Sequence, residues 1–244
     1  MKKAIVTGHS AGLGAALAGQ LLESGVAVLG LSRRGNAELA LRYPGLLTEA
    51  ALDMGQPDAL AQWLAGGALH AFVADAAQAL LINNAGTVQP VGPPGMQGAQ
   101  QVLASVALNV AAPLALADAF CAATATCRDR RIVHISSGAG SGAYPGWSVY
   151  CASKAALDHH ARAVALDAVP ALRICSLAPG IIDTAMQAQI RATTLERFPL
   201  RGEFDALKRD GALAAPADTA RVLLAYVWGP RFGAEPVADL RDFS

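Results

Sequence analysis

The sequence predicts an α/β protein: a doubly wound parallel sheet of seven strands with helices on both faces. Three observations predict it. Short apolar runs alternate along the chain with segments of helical spacing, as in repeated strand–helix–strand units. The first run ends in a glycine-rich turn that opens directly into a helical segment. Of the 244 residues, 53% are hydrophobic and only 5% aromatic. Such a composition suits helices packed closely on a sheet buried on both sides.

Length calls for one large domain, spanning residues 1–244, with enough chain to bury a full core. The formal net charge is zero, so nothing draws the chain to nucleic acid or to acidic surfaces. No uninterrupted apolar run reaches the ~18 residues of a membrane span. Met1, Lys2 and Lys3 before an apolar run could open a secretion signal, but Gly8, His9 and Ser10 interrupt that run early. Cys121, Cys127, Cys151 and Cys175 form no C-x-x-C pair and no zinc spacing. Free thiols in a reducing cytoplasm are expected. The five histidines also lack metal spacing, and no metal is expected.

The first strand is expected over residues 3–7. The turn Gly8-His9-Ser10-Ala11-Gly12-Leu13-Gly14 follows, then a helix over 15–24 that Gly25 stops. The second strand covers 26–31. Strand, glycine turn, helix and strand form a unit in which glycines let the backbone approach a pyrophosphate. The helix N-terminus supplies N–H groups and dipole to it. The end of the second strand indicates which dinucleotide. Ser32 stands where an NAD enzyme carries an acid for the ribose 2′-hydroxyl, and Arg33 and Arg34 follow. A guanidinium pairs bidentately with a 2′-phosphate, worth roughly 4 kcal/mol at ~4 Å and an effective dielectric of ~20 before desolvation. NADP is therefore the expected cofactor.

A third strand over 48–52 ends at Asp53 and Met54. A helix is expected over 56–69, with 70–77 ambiguous between helix and loop. The fourth strand, 79–82, closes on Asn83-Asn84-Ala85-Gly86, small and amide residues at a strand's carboxyl end, where open α/β sheets bind ligands. Residues 87–95 are rich in Pro and Gly and form a loop. One long helix over 96–126 follows, kinked at Pro113. It carries Asn109, whose amide needs partners there. The fifth strand covers 132–136. The loop 138–148 bears Tyr144 and Trp147 as aromatic surface among glycines.

Residues 149–168 form the helix of Tyr150 and Lys154, which lie one turn apart on one face. A nearby ammonium favours phenolate and lowers a tyrosine pKa from about 10, making Tyr150 a candidate proton donor. Ser137 could hold a carbonyl oxygen as charge develops on it. Cys151 points elsewhere on the helix and reads as structural. His159 and His160, being adjacent, face different ways, and His70 and His134 have no ligand-like neighbours. A sixth strand, 172–177, precedes Pro179 and Gly180. Residues 184–211 are polar and charged, a helical flap over a site rather than core. A last helix over 217–227 and an edge strand over 236–240 end the chain.

These motifs together resemble a short-chain dehydrogenase/reductase. Thr7-Gly8-x-x-x-Gly12-x-Gly14 matches the family's glycine motif, and Asn83-Asn84-Ala85-Gly86 its NNAG. Asn109, Ser137, Tyr150 and Lys154 match its catalytic tetrad, and Pro179-Gly180 with Thr184 the segment that holds the nicotinamide carboxamide. Residues 89–94 and 143–148 look more like the sepiapterin reductase and benzil reductase branch than like fatty-acid ketoreductases. The resemblance implies a Rossmann fold and an NADPH-dependent reductase acting on a ketone or dicarbonyl. Gly8, Ser10, Gly12, Leu13 and Gly14 would then cradle the pyrophosphate, and Arg33 and Arg34 the 2′-phosphate. Asp53 and Met54 would contact adenine, and Asn84, Ala85 and Gly86 the adjacent ribose. Pro179, Gly180, Ile182 and Thr184 would hold the nicotinamide end. Lys154 would bind ribose hydroxyls, and Asn109 a water on the proton path. Tyr144, Trp147, Ile181, Met186 and Phe198 would shape an apolar substrate pocket. Homodimer or homotetramer formation is the family's habit. His9 departs from the small residue common at its position, and the stretch from Ala234 lacks the usual glycine-rich ending. Two other readings stay open: a non-catalytic NADP-sensing protein, and an NAD-dependent alcohol dehydrogenase.

Overall fold

A computed structural model describes residues 1–243; Ser244, the last residue of the expected domain, lies outside the described residues. The chain builds a seven-stranded parallel sheet, order β3-β2-β1-β4-β5-β6-β7. The strands are β1 (Lys2–Thr7), β2 (Ala27–Ser32), β3 (Leu47–Ala51), β4 (Gln78–Asn83), β5 (Asp129–Ile135), β6 (Leu172–Ala178) and β7 (Val237–Asp239). The order reverses between β1 and β4, which pair in register from Lys2 opposite Gln78 to Val6 opposite Ile82. Chain leaving these two strands diverges to opposite sides and opens a crevice at their carboxyl ends.

Alternation along each strand divides the core into two layers. On one face, Ala4, Val6, Leu80, Ile82, Val133 and Leu177 meet α1 (Gly12–Glu23) and α10 (Pro216–Trp228). On the other, Ile5, Leu81, Ile132 and Ile174 meet, among others, three longer helices. These are α3 (Pro57–Ala65), α6 (Ala112–Ala123) and α7 (Ser148–Leu166). Each fully buried Leu or Ile contributes about 1.5–3 kcal/mol, so the strands beneath the crevice are its most rigid support.

Two expected helices are broken. The segment 56–69 stops at Ala65, because Gly66 and Gly67 end α3, Gly67 at φ 74°; α4 (Ala68–Val73) then starts afresh. The long helix over 96–126 consists of α5 (Ala99–Val106), a π turn at Ala107–Ala111, and α6. In that turn the Ala112 N–H donates to the Ala107 carbonyl five residues back. The widened turn lies just before Pro113, where the missing N–H and the ring would otherwise break the helix ladder. The composite helix Ala99–Ala123, with mean hydropathy 1.7, is long and apolar enough by length and composition to cross a membrane. Here it packs on the sheet and on α7.

Helix α2 (Ala37–Arg42), which apolar spacing did not suggest, starts at an Asn36 cap whose side chain accepts from the Leu39 N–H. Residues 184–211 hold two helices, α8 (Ala185–Arg191) and α9 (Arg201–Arg209), which pack on each other. Strand β7 extends the sheet beyond β6.

Candidate active site

The glycine turn is tied to β4 by a compact hydrogen-bond set. The Thr7 hydroxyl accepts from the Asn84 and Ala85 N–H groups, both at 2.9 Å. The Asn84 amide donates to the Thr7 carbonyl at 2.8 Å. A Cβ on Gly14 would lie 2.2 Å from the Gly8 carbonyl oxygen, and one on Gly12 3.4 Å from the Thr184 methyl. Gly8 and Gly12 have φ of 70° and 56°, conformations that favour glycine. Leu13 turns its side chain into the core, leaving only main chain for a ligand. Helix α1 has no side-chain cap and no acid in its first turn. Its unpaired N–H groups and dipole, beside a turn with no room for side chains, fit the pyrophosphate of a dinucleotide.

At the end of β2, Arg33 and Arg34 are exposed, and neither guanidinium has a partner among the described residues. Ser32 is buried, and its hydroxyl lies 3.1 Å from His9 Nδ1. His9 is 1% exposed, and its Nε2 sits 2.6 Å from Glu49 Oε1. Glu49 Oε1 also accepts from the Asn36 N–H at 2.6 Å. Burial raises the Glu49 pKa, but the bonds from His9 and Asn36 outweigh it and hold the carboxyl below its usual range. Asp53 is exposed and accepts from Gly55 N–H. Met54 departs from expectation: its thioether is buried in the core beside Leu60, because the strand end directs alternate side chains inward. Of the two, only Asp53 is exposed at this strand end.

Ser137, Tyr150 and Lys154 converge above β5. Ser137 precedes a short 3-10 turn, Gly138–Gly140, and its hydroxyl accepts from the Ala139 N–H at 3.2 Å and bonds the Tyr150 hydroxyl. Lys154 is buried, donates to the Ile135 carbonyl at 2.6 Å, and lies 5.6 Å from the centre of the Tyr150 ring. The expected lowering of the Tyr150 pKa is not what the structure gives. Burial pushes Tyr150 up to about 12 against the opposing bond from Ser137. Burial likewise pulls Lys154 down to about 8, opposed by Asp158. Both groups are held toward their uncharged forms, and at neutral pH Tyr150 keeps its proton.

Asp158, one turn beyond Lys154, carries no motif and was missed by sequence reasoning. Its buried Oδ1 accepts from the Ser136 and Ser176 hydroxyls, both at 2.7 Å, joining β5 and β6 to α7. A Cβ on Gly140 would lie 2.2 Å from its Oδ2, so the turn after Ser137 is built around this carboxylate. The Asn109 side chain is fully committed: Oδ1 accepts from the Thr87 N–H at 2.9 Å and Nδ2 donates to the Thr87 carbonyl at 2.8 Å. It clamps the loop after Gly86. The donor that an α-helix would give its backbone carbonyl is residue 113, a proline without an N–H. His134 does have a neighbour, contrary to expectation. Its Nε2 lies 3.1 Å from His160 Nδ1, its Nδ1 3.1 Å from the Asn83 amide, and burial pulls its pKa down to about 3.

The loop 138–148 does not present Trp147 as surface. Trp147 is buried, stacked on Phe198 at 4.6 Å and edge-on to Tyr150 at 5.4 Å. Its indole N–H is buried with no hydrogen-bond partner among the described residues. Tyr144 stands 5.6 Å from Trp147, and Met186 packs against the same cluster. Cys151 packs against this cluster as well, beside Tyr150 rather than away from it as expected. Ile181 is not brought to this cluster. It lines a cleft of about 350 Å³ with Pro179, Gly180 and Arg241, while Ile182 is buried in the core. Ser10 is half-buried in the glycine turn, and Ala85 packs against the core.

The family model for short chain dehydrogenase matches residues 2–195. A benzil reductase ((S)-benzoin forming) of Bacillus cereus is 37% identical over 231 residues, covering 91% of this chain and 92% of that protein. A sepiapterin reductase of Rattus norvegicus is 32% identical over 256 residues, covering 98% and 95%. Among solved structures, a short-chain dehydrogenase/reductase from Burkholderia vietnamiensis is 48% identical with a TM-score of 0.73, covering 100% of this chain and 98% of that one.

Proposed function

The chain belongs to the short-chain dehydrogenase family of oxidoreductases, and from that premise we propose that it is an NADPH-dependent carbonyl reductase acting on a ketone or vicinal dicarbonyl. The observation that carries the reading is the Ser137–Tyr150 hydroxyl pair, with Tyr150 held protonated beside a buried Lys154. The relatives named benzil reductase and sepiapterin reductase support the substrate class.

Bound NADPH supplies a hydride for the carbonyl carbon. The turn from Gly8 to Gly14 and the start of α1 hold the pyrophosphate, with Ser10 beside them. Arg33 and Arg34 meet the 2′-phosphate, Asp53 the adenine, and Asn84 to Gly86 the adjoining ribose. Pro179, Gly180 and Thr184 hold the nicotinamide end. Ser137 and Tyr150 hydroxyls both donate to the substrate oxygen. As the carbonyl carbon is reduced, negative charge gathers on that oxygen, and Tyr150 gives it a proton. The phenolate left behind is stabilised by the Lys154 ammonium and regains its proton from solvent. Asn109 serves by fixing Thr87, and its backbone carbonyl is the atom left for a water on the return path.

Tyr144, Trp147 and Met186 form the apolar wall of the substrate pocket. Residues 184–211 close over the substrate as a flap on one NADP-binding domain. Four unpaired thiols suit a cytoplasmic protein, working as a homodimer or homotetramer. The test is NADPH oxidation with benzil, a sepiapterin-like diketone and a simple aromatic ketone. Turnover with the dicarbonyls is expected. NADPH binding without turnover on any carbonyl would instead identify a sensor.

A further inference from the structure

We propose that His9 and Glu49 set the choice between NADPH and NADH, by restraining a carboxylate beside the adenosine 2′ position. The inference rests on the NADPH reading above and deepens it. In a dinucleotide fold, an acid at the end of β2 reads the ribose 2′-hydroxyl and repels a 2′-phosphate. Position 32 carries a serine here, yet an acid is present one strand over. Glu49 lies on β3, paired with Gly30 of β2. The imidazole of His9 fills the gap between Ser32 and Glu49, 3.1 Å from the serine hydroxyl and 2.6 Å from the carboxylate.

The arrangement is built rather than incidental. A Cβ on Gly30 would lie 2.5 Å from the His9 ring, so β2 has a glycine where the ring rests. A Cβ on Gly35 would lie 3.0 Å from Glu49 Oε2, so the turn after the two arginines is moulded on that carboxylate. The Asn36 N–H and the His9 ring both engage Glu49 Oε1, and the Asn36 amide reaches back to the His9 carbonyl at 3.4 Å. Glycine turn, β2 end and β3 are thereby locked together around one acid. With its charge shared among these donors, Glu49 is a poor acceptor for a ribose hydroxyl and a weak repeller of phosphate. The partnerless Arg33 and Arg34 then dominate the local field. Freed from His9, the same carboxylate would act as the acid that position 32 lacks.

The test is calorimetric binding of NADP+ and of NAD+, which differ only at the 2′ position, to the purified full chain. The readout is the ratio of the two affinities, which a general loss of stability does not move. His9→Ala is expected to lower the NADP+ preference by about tenfold, and Glu49→Gln to raise it by about threefold to tenfold. The double variant should return to the wild-type ratio or above, and His9→Gln, which keeps a donor, should stay near wild type. If His9→Ala fails to fold, Glu49→Gln, which changes charge with little change in volume, decides the matter. Ratios within about twofold of wild type in both single variants, or shifts in the same direction, would overturn the proposal. A wild type that binds both dinucleotides equally would contradict the NADPH reading itself, whereas the variants' shifts relative to it would still decide the role of the pair.

Discussion

Replacing Asp158 by Asn should move the alkaline limb of the reductase pH profile by about one unit while leaving the protein folded. The carboxylate is buried and lies one helical turn from Lys154, whose pKa it raises. Two opposite charges ~8 Å apart at an effective dielectric of ~20 attract by ~2 kcal/mol, of which about two-thirds survives screening, about 1.4 kcal/mol or one pKa unit. Burial has already brought Lys154 down to about 8, so its ammonium is present below that pH and lost as pH rises through it. Without the Asp158 charge the loss begins near pH ~7. At pH ~8 the variant should then show about fivefold lower kcat/KM, and at pH ~6 the two enzymes should agree within about twofold. Asparagine keeps an acceptor for Ser136 and Ser176. The weakened bonds cost ~1 kcal/mol each, partly offset by relief from burying a charge. Thermal melts should therefore differ by only a few degrees. Superimposable profiles from a fully active variant would refute the claim that Lys154 must be charged and that Asp158 sustains that charge.

Two further outcomes follow from packing. Gly14→Ala places a methyl 2.2 Å from the Gly8 carbonyl oxygen, and about 1 Å of backbone movement is needed to relieve it. NADPH binding by fluorescence titration should weaken at least tenfold, and a variant that binds as wild type would show that the turn does not cradle the cofactor. Phe198→Ala removes the ring stacked on Trp147 in a fully buried setting and should cost about 3–5 kcal/mol in urea unfolding. A loss below ~1 kcal/mol would mean that the aromatic cluster contributes little to the wall beside Tyr150.

The strands, the glycine turn and the helix of Tyr150 were legible in sequence because each has a local signal: an apolar run, required glycines, or a fixed helical spacing. What escaped reading was set by partners distant in sequence. Burial, more than the lysine one turn away, governs Tyr150, and burial is a property of β5, α7 and the aromatic cluster together. Asp158 looks like any polar helix residue until β6 brings Ser176 beside it. His134 and His160, 26 residues apart, meet only across β5 and α7. The break at Gly66 and Gly67 had a signal in the glycine pair itself, and α2 had one in Asn36 as a cap. The π turn had none beyond Pro113, since a proline marks a disturbed helix without saying how the ladder reroutes.

The most direct test of the account compares wild type with Tyr150→Phe in NADPH oxidation with benzil, alongside NADPH binding to both. The phenylalanine keeps the ring packed against Trp147 and removes only the hydroxyl shared with Ser137. Unchanged NADPH affinity is expected, with turnover reduced about a thousandfold, the scale of a lost general acid. Turnover within tenfold of wild type would contradict it, because some other group would then have to protonate the substrate oxygen.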